Sequence, residues 1–202
     1  NDMARQHRER LYALNKDAAL FYHECLLSPE GAGALKYLLD RGLTRRTITS
    51  FGLGYATPDW DRLCSAMIKK GYTKRELEDA WLARRNRSGG LYDAFRDRVM
   101  FPIIDIRGKV IAFGGRITHG DGPKYLNSGD TPVFNKSRNL FAMNFAKKSK
   151  EGRLILAEGY MDVIALHQAG FDFAVASLGT ALTPDQCRLM SKYAKEAVIC
   201  YD

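Results

Sequence analysis

Residues 153–202 alternate short apolar strand segments with helical ones, and no other stretch limits the fold as sharply. A strand over 153–157 precedes a helix over about 160–169. A second strand over 173–177 is followed by a helix with Thr183 at its N-cap and Pro184 at N1, and then by a strand over 197–201. This βαβαβ order predicts a parallel sheet, because parallel neighbours need a long crossover, and such crossovers are right-handed. Ligands of these sheets lie outside the carboxyl ends of the strands. Glu158 closes the first strand and Asp202 follows the third, so both carboxylates are expected at one edge. Asp162, one helical turn beyond Glu158, can approach the same edge.

Carboxylates converging at a sheet edge repel one another unless a hard cation neutralises them. Mg²⁺ accepts such oxygens while keeping several waters and substrate phosphates. The chemistry that suits this is phosphoryl or nucleotidyl transfer. The plainer alternative is that the acidic residues cap the helix or complement its dipole.

The preceding part differs. Leu11, Leu14, Ala18, Phe21, Tyr22 and Cys25 recur at helical steps within residues 5–27. Ser28-Pro29 opens a second helix with Leu35, Leu38 and Leu39 inward and Gly42 as its stop. A third helix is expected around 60–70, and Thr73-Lys74-Arg75-Glu76 is a capping box for a fourth running to about Arg84. From Arg98 the pattern becomes β-rich, with strands over 99–104 and 109–113 across the turn 105–108, the hairpin ending at Gly114-Gly115-Arg116.

The chain has 202 residues, and 31 Lys+Arg against 23 Asp+Glu give a net charge of +8, which points to a polyanionic partner. Arg107, Lys109, Arg116, Lys124, Lys136 and Arg138 are interleaved with Tyr125, Asn127 and Phe134. Arg116 beside two glycines suits a phosphate approaching the backbone, and Tyr125 beside Lys124 offers a ring for a base. An ordinary solvated face is the alternative. Cys25, Cys64, Cys187 and Cys200 lack the spacing of a structural zinc site and are expected to be reduced core thiols. No apolar run is long enough to span a bilayer, and a cytoplasmic location is expected. Asn1 in place of Met and a final strand ending at Asp202 suggest boundaries cut within a longer protein.

Five segments resemble, in order, the RNA-polymerase core of DnaG-type bacterial primases. They are Arg98-Val99-Met100-Phe101-Pro102-Ile103, Phe113-Gly114-Gly115-Arg116, residues 123–128 (Pro-Lys-Tyr-Leu-Asn-Ser), Glu158-Gly159-Tyr160-Met161-Asp162-Val163, and Ala176-Ser177-Leu178-Gly179-Thr180. Arg41-Gly42-Leu43 and Phe51-Gly52-Leu53-Gly54-Tyr55 are similar to its amino-terminal part. The resemblance implies an α/β chain: an α+β basic subdomain over 1–150, then a TOPRIM subdomain over 151–202 that stops after the third strand. It implies that only the core is present, without the zinc-binding and helicase-binding domains.

By the same resemblance Glu158, Asp162 and Asp202 are the catalytic, metal-holding carboxylates, with Mg²⁺ or Mn²⁺ as cofactor and no structural zinc. Arg41, Arg116, Lys124, Tyr125, Asn127 and Lys136 would contact template or nucleotide, with Arg138 a weaker candidate. The implied activity is synthesis of short RNA primers from ribonucleoside triphosphates on single-stranded DNA. The implied partners are template, nucleotides and primer, and a replicative helicase through an absent domain. A monomer without membrane contact is expected. The rival readings are a catalytically incomplete nucleic-acid or nucleotide-binding module, open to guanosine polyphosphates, and a TOPRIM nuclease or topoisomerase.

Overall fold

The computed structural model describes residues 1–202. Helix α1 (Asp2–Leu27) buries Leu11, Leu14, Ala18, Tyr22 and Leu26 along one stripe, as the spacing requires. Pro29 opens a 3₁₀ turn, Pro29–Gly31, ahead of α2 (Ala32–Asp40). Leu39, expected to face inward, is 37% exposed, because Ala34 and Leu38 form the buried face of this short helix. Helix α3 (Arg45–Ser50) and strand β1 (Gly54–Ala56) are six and three residues long, too short for a periodic signal. At Gly54 the strand backs onto α1 so closely that a Cβ would stand 2.6 Å from the Tyr22 Cβ and 2.7 Å from its main chain. Only glycine permits that approach.

Helix α4 (Arg62–Lys69) is capped from a distance: the Asp93 carboxylate accepts from the N–H groups of Leu63 and Cys64, each at 2.9 Å. Helix α5 (Lys74–Asp79) carries the expected box of Thr73 and Glu76. It stops at Asp79, short of the expected Arg84. Trp81 takes a left-handed φ of 62°, its N–H donates to the Glu78 carbonyl, and the Leu82 N–H donates to that of Leu77. Packing of the Trp81 ring against Phe95, with the Arg84 guanidinium over it, fixes the stop where local propensity would continue the helix. The chain then forms β2 (Ala83–Arg85), antiparallel to β3 (Leu91–Asp93).

Strands β4 (Arg98–Ile104) and β5 (Val110–Ile117) form the predicted hairpin. Gly114, Gly115 and Arg116 do not end it. They continue β5, because they pair with Asn127, Leu126 and Tyr125 of β6 (Tyr125–Asn127). The sheet order is β1-β4-β5-β6.

The chain clusters into two compact units, residues 1–102 with 110–133 and residues 103–109 with 134–202. In the first, Leu11, Leu14, Met67, Phe95, Met100 and Phe113 anchor a core shared by helices and sheet. The second contains a 3₁₀ turn, Lys136–Arg138, then α6 (Met143–Ala146), β7 (Arg153–Ala157), α7 (Tyr160–Gln168), β8 (Ala174–Ala176), α8 (Pro184–Ser191) and β9 (Glu196–Cys200). Strand β7 runs parallel to both β8 and β9, in the order β8-β7-β9, as the βαβαβ pattern predicts. The cysteines depart from expectation. Cys64 is buried, Cys25 is half-buried, and Cys187 and Cys200 are exposed, Cys200 because every residue of β9 is exposed.

Candidate metal and polyanion sites

Ala157 and Cys200 are register partners, which brings the ends of β7 and β9 level and places Glu158 and Asp202 beyond the same edge. Gly159 is the N-cap of α7, so Asp162 is the third residue of that helix, and a Cβ on Gly159 would lie 3.8 Å from an Asp162 carboxylate oxygen. The three carboxylates line one cleft of about 320 Å³ with Ala165, Leu166 and Cys200. All three residues are exposed. No lysine, arginine or histidine lines the cleft, and the three carboxylates enter no salt bridge within the chain. They are not gathered into a closed set of three that would enclose an ion unaided. Hard oxygen donors around an open cleft fit a divalent cation that keeps much of its own water and reaches substrate phosphates.

The basic residues form a second constellation, in the first unit. Arg116 on β5 lays its guanidinium over the Tyr37 ring at 4.7 Å and donates to the Ile117 carbonyl at 3.1 Å. Its register partner Tyr125 faces the same group. Burial pushes the Tyr125 phenol up, and Arg116, which hydrogen-bonds to it, and Arg41 act in the opposite sense. Arg116 and Tyr125, singled out from sequence, therefore meet beside Tyr37, and Arg41, whose N–H donates to the Tyr37 carbonyl, stands near enough for its charge to act on Tyr125. Asn127 lies two residues beyond Tyr125 on β6, on the same face, and Lys124 is exposed just before the strand. On its side-chain face Gly115 is filled by the protein itself. A Cβ there would stand 2.9 Å from the Arg98 Cδ and 3.0 Å from the Phe95 ring, so this glycine admits a side chain of the same unit. Lys136 and Arg138 stand on the 3₁₀ turn of the second unit, where Arg138 pairs with Asp185 at 3.5 Å.

Two features escaped the sequence reading. Tyr37 lies on α2, one turn before Arg41, within an ordinary helical pattern. Trp60 is 63% exposed, with the Arg96 guanidinium 4.0 Å from its ring centroid and Tyr92 edge-on at 5.6 Å. A tryptophan in the polar run Pro58-Asp59-Trp60-Asp61 was the available signal.

The parallel sheet with carboxylates beyond one edge fits a Toprim domain, and residues 152–202 match that family. The chain belongs to the DNA primase family: residues 21–147 match the DNA primase catalytic core, N-terminal domain. It is 50% identical over 196 residues to the DNA primase of Clostridium acetobutylicum and 41% identical over 204 residues to that of Escherichia coli K12. These alignments cover 96% and 100% of the chain but 32% and 35% of the relatives, so it spans about a third of their length. Among solved structures, a DnaG primase catalytic domain bound to single-stranded DNA superposes with a TM-score of 0.91 at 42% identity, covering 100% of this chain and 65% of that one. The E. coli primase catalytic core gives 0.88 at 42% identity, covering 95% and 62%. Membership of this family and the Toprim domain imply divalent-metal binding. No helix of the chain is long and apolar enough to cross a membrane.

Proposed function

We propose that this chain is the catalytic part of a DNA primase that joins ribonucleoside triphosphates into a short RNA primer on single-stranded DNA, releasing pyrophosphate. The observation that carries the reading is the cleft lined by Glu158, Asp162 and Asp202 without a compensating cation from the protein. These residues would hold Mg²⁺ or Mn²⁺. When bound, the cation supplies charge neutralisation for the triphosphate and acidifies the attacking 3′-hydroxyl. Residues 151–202 form the metal-holding part and residues 1–150 the basic part that orients template and nucleotide.

Arg116 forks onto phosphate oxygens, its guanidinium held by the Tyr37 ring, and Arg41 adds charge beside it. Lys124 and Lys136 contribute point charges for further phosphates. Tyr125 and Asn127, on one face of β6, seat a nucleotide by ring contact and hydrogen bonding. Trp60 has one ring face engaged by Arg96 and enough exposure to stack on an unpaired base. The match of residues 21–147 to the primase amino-terminal core favours this reading over a Toprim nuclease or topoisomerase. The protein would act in the cytoplasm as a monomer and meet the replicative helicase through regions outside this chain.

The test is primer synthesis by the full-length protein on single-stranded DNA with labelled ribonucleotides. Synthesis should require Mg²⁺ or Mn²⁺, stop with a chelator, and be lost in Asp162→Asn. Metal-independent synthesis would overturn the metal assignment.

A further inference from the structure

Gln186, at 0% exposure, is the third residue of α8 and half of a capping box. Its Oε1 accepts from the Thr183 N–H at 3.0 Å, while the Thr183 Oγ1 accepts from the Gln186 N–H at 3.1 Å. The box leaves three donor hydrogens over, two on the Gln186 amide and one on the Thr183 hydroxyl. All are spent on one segment. Gln186 Nε2 donates to the carbonyls of Lys136 at 3.1 Å and Asn139 at 3.0 Å, and Thr183 Oγ1 donates to that of Ser137 at 2.5 Å. The turn that carries Lys136 is thus fastened to the start of α8 through its main chain.

Helix capping alone does not call for glutamine. In the other capping box of this chain, Thr73 with Glu76 on α5, a carboxylate accepts from the N-cap N–H at 2.9 Å. A carboxylate closes the box but has no hydrogen to offer a carbonyl. What glutamine adds on α8 is the pair of bonds to Lys136 and Asn139.

We propose that Gln186 is a positioning residue for polyanion binding: by holding the Lys136 main chain, it sets where the Lys136 ammonium meets a phosphate of single-stranded DNA. The proposal rests on the reading of Lys136 as a phosphate contact, which Lys136→Ala tests separately.

The experiment measures binding of fluorescent oligo(dT) to the full-length protein across a salt series. Lys136→Ala should weaken binding about fivefold at 0.1 M salt and flatten the log–log salt slope by about 0.7, one phosphate's worth on a single strand. Gln186→Glu keeps the box and removes both donors, so it should reproduce that loss and that change of slope. Adding Lys136→Ala to it should then cost nothing further. Gln186→Met removes the donors without adding charge and serves if the buried carboxylate prevents folding. A folded Gln186 variant with wild-type affinity and slope, beside a weakened Lys136→Ala, would overturn the positioning role while leaving Lys136 in place. Wild-type binding by Lys136→Ala would overturn the Lys136 reading and the proposal with it.

Discussion

The Arg98 guanidinium donates to the Pro123 carbonyl at 2.8 Å, and the same nitrogen is 3.1 Å from the Gly115 carbonyl and 3.4 Å from that of Lys124. Arg98 is 6% exposed and has no salt bridge, and burial, with the nearby Arg96 charge, pulls its pKa down. Its hydrogen bonds tie the start of β4 to the two backbones from which Arg116 and Lys124 project. Gly115 provides the room for its stem.

Arg98→Met would take the side-chain donor from the Pro123 carbonyl and from the buried bond to the Gly115 carbonyl, and a loss of about 1–3 kcal/mol in urea unfolding is expected. Arg98→Lys keeps the charge and a donor but not the reach and direction of that nitrogen, and should fall between wild type and Met. Equal stability of all three proteins would show that these bonds contribute nothing to the fold.

Trp60→Ala should weaken single-stranded DNA binding by about 1 kcal/mol or more, the range for base–aromatic stacking, without altering the salt slope. The ring is largely exposed, so thermal stability should change little. A changed slope with unchanged affinity at low salt would argue against stacking.

Glu76 is held to about 2, against an ordinary 4.5, chiefly by the Arg10 guanidinium, whose Nε lies 2.7 Å away, with burial opposing. Because the folded value is depressed, the stabilisation is complete above about 4.5 and is lost as pH falls towards 2. Arg10 is half exposed, so Arg10→Met should cost only about 1–2 kcal/mol at pH 7. The gap to wild type should narrow in urea melts between pH 4.5 and 2. A constant gap across that window would contradict the pairing.

The carboxyl-terminal sheet was legible because each strand and helix carries its own periodic or capping signal, and parallel order follows from the alternation. The sheet edge followed too, since Glu158 and Asp202 stand at strand ends. Contacts made through space were not legible. Trp81 ends α5 against local propensity through its packing on Phe95, and the glycines at 114 and 115 read as a hairpin end although β6 extends the pairing. Tyr37 joins the basic cluster only because α2 comes close to β5, a relation that no spacing along the chain encodes.

The most direct test of the metal-dependent primase reading is Glu158→Gln in the full-length protein, assayed in parallel for primer synthesis with Mg²⁺ or Mn²⁺ and for single-stranded DNA binding. The substitution removes one negative charge and keeps the shape. Synthesis should fall by at least about a hundredfold while DNA affinity stays within about twofold, because binding belongs to the basic residues. Retained synthesis would contradict the carboxylate assignment, and an equal loss of DNA binding would show that Glu158 supports the fold instead of the chemistry.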